Sequence, residues 1–327
     1  MVERKIKMSK VAHIPVFLAS DDNYAPFLAT TMYSILQNTK SFIDFYILDG
    51  GISKISKDKI VRSLENFTNK SLTYFDMSKC GLERFPNLKH YSLNTFSRYF
   101  IPDLVPAIDK AIYMDVDIIV KGDVAELYHI DLGDYPLGAV LEDFYEGNYK
   151  TLKQKVYPAY NGGDKYFNAG VLLLNIKNIR ENKTMDKAVQ LTIDLFDKLN
   201  CPDQDVFNIL FENNFKILDY KYNFMPDHLK FIKQKHPDLV LPEPVIIHYT
   251  GPKPWKAMSN RKADFDEILE KTEFKDDVRT KYKIEERASK KSYLLFGILP
   301  LYKIKKKNNC AKHYLFGFIP FLKIKEK

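Results

Sequence analysis

The stretch Ala111-Ile-Tyr-Met-Asp-Val-Asp-Ile-Ile-Val120 decides how this chain is read. Asp115 and Asp117 interrupt an apolar run that otherwise has the character of a buried strand. An aspartate is costly to bury unless it is paired or bound to a cation. On an extended backbone residues i and i+2 share a face, so the two carboxylates point the same way. Two hard oxygens held together at the end of a core strand make a seat for a hard divalent cation.

On both sides of this stretch, apolar runs alternate with segments of helical spacing. Strands are expected at Ile14 to Ala19, Ile43 to Leu48, Leu72 to Phe75, Leu137 to Leu141, Val171 to Asn175 and Val245 to His248. A helix is expected from Tyr24 to Gln37, where Leu28, Thr31, Met32, Ile35 and Leu36 recur on one stripe. Others are expected from Ser56 to Phe67 with Ser56 as N-cap, within Asn94 to Leu104, from Thr184 to Leu199, and from Asp203 to Phe211 behind Pro202. The alternation predicts an α/β fold with a mixed, mainly parallel sheet covered by helices. In such sheets ligands bind beyond the carboxyl ends of the strands, and Asp21, Asp115 and His248 each stand at such an end.

With 327 residues, 45% hydrophobic and 28% charged, the chain suits one large α/β domain with appendages, or two modest domains. Cys80, Cys201 and Cys310 are too scattered for a disulfide framework or a Cys-x-x-Cys site, which favours a reducing compartment. Val11 to Ala19 reads as a first core strand rather than a signal peptide. No apolar stretch reaches the roughly 18 residues that a membrane span requires. The net charge is +8, but residues 290–327 hold ten lysines and a single acid, Glu326. The remainder is near neutral, so nucleic acid is not an expected partner.

That same tail carries a repeat. Leu295-Phe-Gly-Ile-Leu-Pro-Leu-Tyr-Lys-Ile-Lys305 returns as Leu315-Phe-Gly-Phe-Ile-Pro-Phe-Leu-Lys-Ile-Lys325. Each copy is an apolar block followed by lysines, a composition that suits an interfacial anchor on anionic lipid. The plainer reading is a paired strand or a protein-docking tail. The expected division is a catalytic domain at 11–256, a charged helical connector at 257–289, and a basic, amphipathic tail at 290–327 that anchors the protein to a membrane surface.

Four segments taken together resemble the family 8 glycosyltransferases, in particular the bacterial lipopolysaccharide galactosyl- and glucosyltransferases. They are Ala19-Ser-Asp-Asp-Asn-Tyr24, Tyr113-Met-Asp-Val-Asp117, Phe167-Asn-Ala-Gly-Val-Leu-Leu-Leu-Asn175 with Asp203-Gln-Asp205, and His248-Tyr-Thr-Gly-Pro-Lys-Pro-Trp255. The resemblance implies a nucleotide-sugar-binding domain of the glycosyltransferase A type. It also implies retaining transfer of galactose or glucose from a UDP-sugar, with Mn²⁺ or alternatively Mg²⁺ as cofactor, to a glycan or glycolipid acceptor. Asp115, Asp117 and His248 would ligate the metal, with Val116 between the acids at the donor site. Ala19, Asp21, Asn23 and Tyr24 would hold the nucleotide, and Arg98 would be a donor-site arginine. Gly251 would let the backbone approach the diphosphate and Lys253 would neutralise it, although Gly251 and Lys253 stand one residue closer than in the family pattern. Asn168, Asp203 and Gln204 would face the sugar, with Asp203 and Gln204 closest to the chemistry. Asp205 reads as a structural partner. Either Glu142 or Asp143 would meet the acceptor.

The implied location is cytoplasmic, peripheral on the inner face of the cell membrane. The competing readings are a nucleotide-sugar hydrolase or nucleotidyltransferase, which also needs paired acids and a metal, and a membrane-tethered nucleotide-binding module without catalysis.

Overall fold

A computed structural model describes residues 13–86, 92–142, 150–163, 165–256 and 259–282, together with the backbone of four segments between 291 and 325. The chain divides into two units, one through Phe274 and the other from Lys275.

The first unit is built on a seven-stranded sheet. Its strands are β1 (His13–Ser20), β2 (Phe42–Asp49), β3 (Lys70–Asp76), β4 (Lys110–Met114), β6 (Leu137–Leu141), β7 (Phe167–Asn175) and β8 (Lys216–Ile217), in the order β3-β2-β1-β4-β7-β6-β8. The first four run parallel, β7 runs antiparallel to β4 and β6, and β8 is parallel to β6. The sheet is therefore mixed and mainly parallel, as expected. The continuous strand expected over Ala111–Val120 is instead two strands. After β4 the chain leaves the large sheet at Asp115 and continues as β5 (Ile118–Val120), which pairs antiparallel with β9 (Ile246–His248). The acids occupy the crossing between the sheets, where their carboxylates need not enter either apolar layer.

Helix α1 (Ala25–Asn38) packs beside this crossing and fixes it with polar side chains. Thr31 Oγ1 donates to the carbonyls of Val116 (3.1 Å) and Ile118 (2.9 Å), and Asn38 donates to that of Val120 at 3.0 Å. Ser34 Oγ accepts from the Val120 N–H at 2.9 Å. The next helix, α2 (Lys54–Ser63), begins before the expected Ser56, and its N-cap is Ser53, whose hydroxyl accepts from the Ser56 N–H. Within the expected Asn94–Leu104 span, Leu93–Phe100 is a run of 3₁₀ turns and only Ile101–Leu104 is α-helix. The helix Pro202–Leu210 starts on its proline, where the missing N–H costs nothing.

The core lies on both faces of the sheet. Val16, Leu18, Phe45 and Ile112 pack toward α1. Phe17, Tyr113, Phe167 and Leu172 pack toward the opposite layer. The unit extends beyond residue 256, the expected boundary. Phe265, on the helix Lys262–Leu269, joins the Phe27–Trp255 stack, with ring centroids 6.2 and 5.5 Å away. Among the described residues, no helix is long and apolar enough to cross a membrane.

The second unit holds a helix at Lys275–Lys281 and a four-stranded antiparallel sheet in sequence order, made of β10 (Lys291–Leu295), β11 (Leu299–Lys306), β12 (Cys310–Leu315) and β13 (Ile319–Lys325). Each copy of the repeat thus starts on the last residue of one strand and ends in the next.

The Ser34 contact is the sharpest test of how the crossing is held. Ser34→Ala leaves a buried Val120 N–H without its acceptor, which costs about 1–3 kcal/mol. A lower midpoint in thermal or urea unfolding is expected, and an unchanged midpoint contradicts this role.

Candidate functional site

The carboxyl ends of β1 and β4, the end of β9 and the start of the helix Pro202–Leu210 meet around one cavity of about 460 Å³. Parallel pairing of β1 with β4, Leu18 opposite Met114, brings the residues after each strand to the same rim. Asp21 and Tyr24 follow β1, and Asp115 follows β4.

Asp115, Asp117 and His248 converge, each offering a ligand atom, and these atoms all lie within 4.8 Å of one another. His248 Nε2 is 3.2 Å from Asp117 Oδ1 and 3.9 Å from Asp115 Oδ2. The other ring nitrogen, Nδ1, is 2.9 Å from Asn223 Oδ1. Donation from Nδ1 to that oxygen leaves the Nε2 lone pair facing the acids, which is how an outer hydrogen bond prepares a histidine ligand. Two carboxylates and an imidazole suit a hard or borderline divalent ion. Gly170 on β7 makes the approach close: a Cβ there would stand 2.2 Å from His248 Cε1 and 2.8 Å from Asp115 Oδ2.

Two cations neutralise the acids. The Arg98 guanidinium, itself only 6% exposed, lies between Asp115 and Asp203, 2.9 Å from each, and donates to the Ala169 carbonyl at 2.8 Å. It also covers the Tyr113 ring, whose hydroxyl donates to Asp115 Oδ1. Lys253 Nζ contacts Asp117 Oδ2 and donates to the Tyr249 carbonyl. Burial alone would push the Asp117 carboxyl up, but the Lys253 ammonium beside it holds it well below the usual carboxylate range. Burial raises the Asp203 carboxyl, and Arg98 offsets only part of that rise.

Opposite the acids is a polar cluster. Gln204 Oε1 accepts from the Ala169 N–H (3.0 Å) and from Asn168 Nδ2 (3.1 Å), while its Nε2 donates to Glu142 Oε2 (2.7 Å) and to the Tyr166 hydroxyl (3.1 Å). Asn168 Oδ1 accepts from the Gly170 N–H and from Asn223 Nδ2, which joins this cluster to His248. Burial raises the Glu142 carboxyl, only partly offset by hydrogen bonds from Asn168 and Gln204.

Of the residues singled out from the sequence, Ala19, Asp21, Tyr24, Arg98, Asp115, Val116, Asp117, Asn168, Asp203, Gln204, His248 and Lys253 line the cavity. Asn23 and Gly251 do not. Asn23 is exposed, and Gly251 packs against Asp227, where a Cβ would meet Oδ2 at 2.9 Å. Neither Asp22 nor Asn23 caps α1; Asp21 Oδ1 accepts from the Tyr24 N–H instead. Asp205 turns away from the cavity, accepting from the Tyr166 hydroxyl and from the backbone of Asn200 and Cys201. Of the Glu142–Asp143 pair, Glu142 lines the cavity and Asp143 lies outside the described residues. Sequence reasoning missed Tyr166 and Asn223, whose hydrogen bonds carry no motif, and Tyr113 and Gly170, which stood inside the quoted Tyr113–Asp117 and Phe167–Asn175 segments.

The model of glycosyl transferase family 8 matches residues 15–259. A Haemophilus influenzae protein described as a glycosyltransferase is 32% identical over 240 residues, covering 72% of this chain and 71% of its own length. A lipopolysaccharide 1,2-glucosyltransferase of Escherichia coli is 28% identical over 247 residues, covering 72% and 70%. Other relatives are longer, and the chain spans 58% of one and 32% of another. Among solved structures, the galactosyltransferase LgtC in complex with donor and acceptor sugar analogues aligns with a TM-score of 0.69 at 29% identity, over 80% of this chain and 96% of that one.

Two outcomes follow from the geometry. Gly170→Ala should displace the His248 ring and weaken binding of a divalent cation, probed with Mn²⁺ by calorimetry, at least about tenfold, as disturbing an outer contact commonly does; unchanged affinity contradicts the close approach. Glu142 binds its proton more tightly when folded than unfolded. Its contribution to stability is therefore fully present below the unfolded pKa and is lost as pH rises through the folded one. Glu142→Gln should raise the thermal midpoint at pH 7 relative to the parent and lessen its decline above pH 4.5; a lower midpoint at pH 7 contradicts that sign.

Proposed function

The chain belongs to glycosyl transferase family 8, and we propose that it is a retaining, metal-dependent hexosyltransferase that moves galactose or glucose from a UDP-sugar to a glycan or glycolipid acceptor. The observation that carries this reading is the convergence of Asp115, Asp117 and His248 on the rim of a cavity that Tyr24, Asp203 and Gln204 also line. When bound, Mn²⁺, or Mg²⁺ in its place, supplies Lewis-acid stabilisation of the charge on the departing UDP.

The chain's own groups divide the remaining work. Asp21 and Tyr24 receive the base, with Tyr24 as a partly exposed aromatic platform braced edge-on by Phe27 and Trp255. Lys253 turns from Asp117 to the diphosphate when the donor enters, delivering its charge where charge develops. Arg98 fixes Asp203 beside the sugar hydroxyls. Gln204 stands at the anomeric centre with its amide held at both ends by Ala169, Asn168, Glu142 and Tyr166. A glutamine-to-glutamate change in LgtC is described as an active-site mutation, and Gln204 is the glutamine on this cavity wall. An amide is a poor nucleophile. Retention therefore proceeds by attack on the face the UDP leaves, through an oxocarbenium-like state, rather than through a covalent sugar on Gln204. Glu142 faces the acceptor side. A lipopolysaccharide or another surface glycan is the natural acceptor class, given the activity named for the Escherichia coli relative.

The test is a screen of UDP-sugars with and without Mn²⁺, read by UDP release and by analysis of the acceptor. Metal-dependent formation of UDP and a glycosylated acceptor is expected. Asp117→Ala should lower kcat/KM at least about 100-fold while keeping its circular dichroism. Full turnover in that variant, or UMP or free sugar as the only product, contradicts the proposal.

A further inference from the structure

The register of the C-terminal sheet sorts its lysines. Residues opposite each other in an antiparallel pair share a face, and residues alternate between faces along each strand. Lys305 stands opposite Lys312, which stands opposite Lys323 on its other side. Lys303 and Lys325 lie two positions from Lys305 and Lys323, on the same face. No register shift interrupts β11 against β12, and the shifts in the two outer pairs fall on the apolar side of these lysines. Five lysines therefore occupy one face of the sheet. Tyr302, Ile304, His313, Leu322 and Ile324 occupy the other, together with two lysines, Lys291 opposite Ile304 and Lys306 two positions beyond it.

The strands are also polarised along their length. Leu295 pairs with Leu299 and Leu315 with Ile319 at one end, and Lys305, Lys306 and Lys325 stand toward the other. At about 3.3 Å per residue, Lys303 lies roughly 13 Å from Leu299 along its strand.

Three lysines in a row across adjacent strands repel one another, which weakens a sheet that faces only water. A dense anionic surface relieves this repulsion, and an apolar end projecting ahead of the lysines suits a surface with an apolar layer beneath its charges. We propose that this face is a docking surface for an anionic phospholipid bilayer, with the Leu295/Leu299 and Leu315/Ile319 end toward the acyl boundary and the lysines at the level of the phosphates. This goes beyond the transfer reaction and does not depend on it.

The alternation makes the test selective. Two full-length variants each lose five lysines to glutamine and so have the same net charge. One changes Lys303, Lys305, Lys312, Lys323 and Lys325. The other changes Lys290, Lys291, Lys306, Lys307 and Lys327. Binding is measured by sedimentation with vesicles of phosphatidylcholine containing phosphatidylglycerol, with pure phosphatidylcholine vesicles and a double-stranded DNA as comparisons, and thermal unfolding checks that each variant is folded. The parent should bind the mixed vesicles and not the pure ones. The first variant should lose at least about 100-fold in affinity, since each lysine near the surface contributes about fivefold. The second should keep the larger part of the parent's binding. Equal losses in both variants, no loss in the first, equal binding of the parent to pure phosphatidylcholine, or binding to DNA in preference to mixed vesicles would each overturn the proposal.

Discussion

Everything at the cavity follows from holding Asp115, Asp117 and Asp203 together out of bulk water. Three carboxylates so close repel, and each loses hydration. Arg98 bridges Asp115 and Asp203, Lys253 sits on Asp117, and His248 faces the first two acids. Ion pairs of this kind add little net stability, because desolvation offsets most of the Coulombic gain. A sequence selected only for a stable core would fill these positions with apolar side chains. Their cost makes sense where a positive ligand arrives at the acids and a negative one at Lys253.

The fold bears that cost by topology and by close fit. Parallel β1 and β4 bring Asp21 and Asp115 to one rim, and β7, antiparallel beside β4, adds Asn168, Ala169 and Gly170. Because the chain changes sheets at Asp115-Val116-Asp117, the motif is a crossing between two sheets rather than the interior of one. Thr31, Ser34 and Asn38 on α1 satisfy the backbone of this crossing. The absence of a side chain at Gly170 then lets the imidazole reach the acids.

Much of this was legible before any coordinates. Alternating apolar runs and helical stripes gave the order of the elements and the mainly parallel sheet, because periodicity follows directly from which face is buried. Asp115, Asp117 and His248 stood out because polar residues at the ends of apolar strands need partners. Boundaries were less legible. The acids mark where the run Ala111–Val120 is interrupted, but not that the chain changes sheets there, which depends on β9 arriving from more than a hundred residues away. The helix around Phe265 looked like connector because its partners, Phe27 and Trp255, are distant in sequence. Tyr113, Tyr166 and Asn223 were invisible for a related reason: an aromatic or an amide in an apolar segment reads as packing until its hydrogen-bond partner is known.

The most direct measurement is an anomalous difference map from a crystal grown with UDP and Mn²⁺. A single strong peak bonded to an oxygen of Asp115, an oxygen of Asp117 and Nε2 of His248, with the Lys253 ammonium moved from Asp117 to the diphosphate, is the expected result. Ordered UDP in the cavity with no peak among those three side chains would contradict the shared cation on which the proposed chemistry rests.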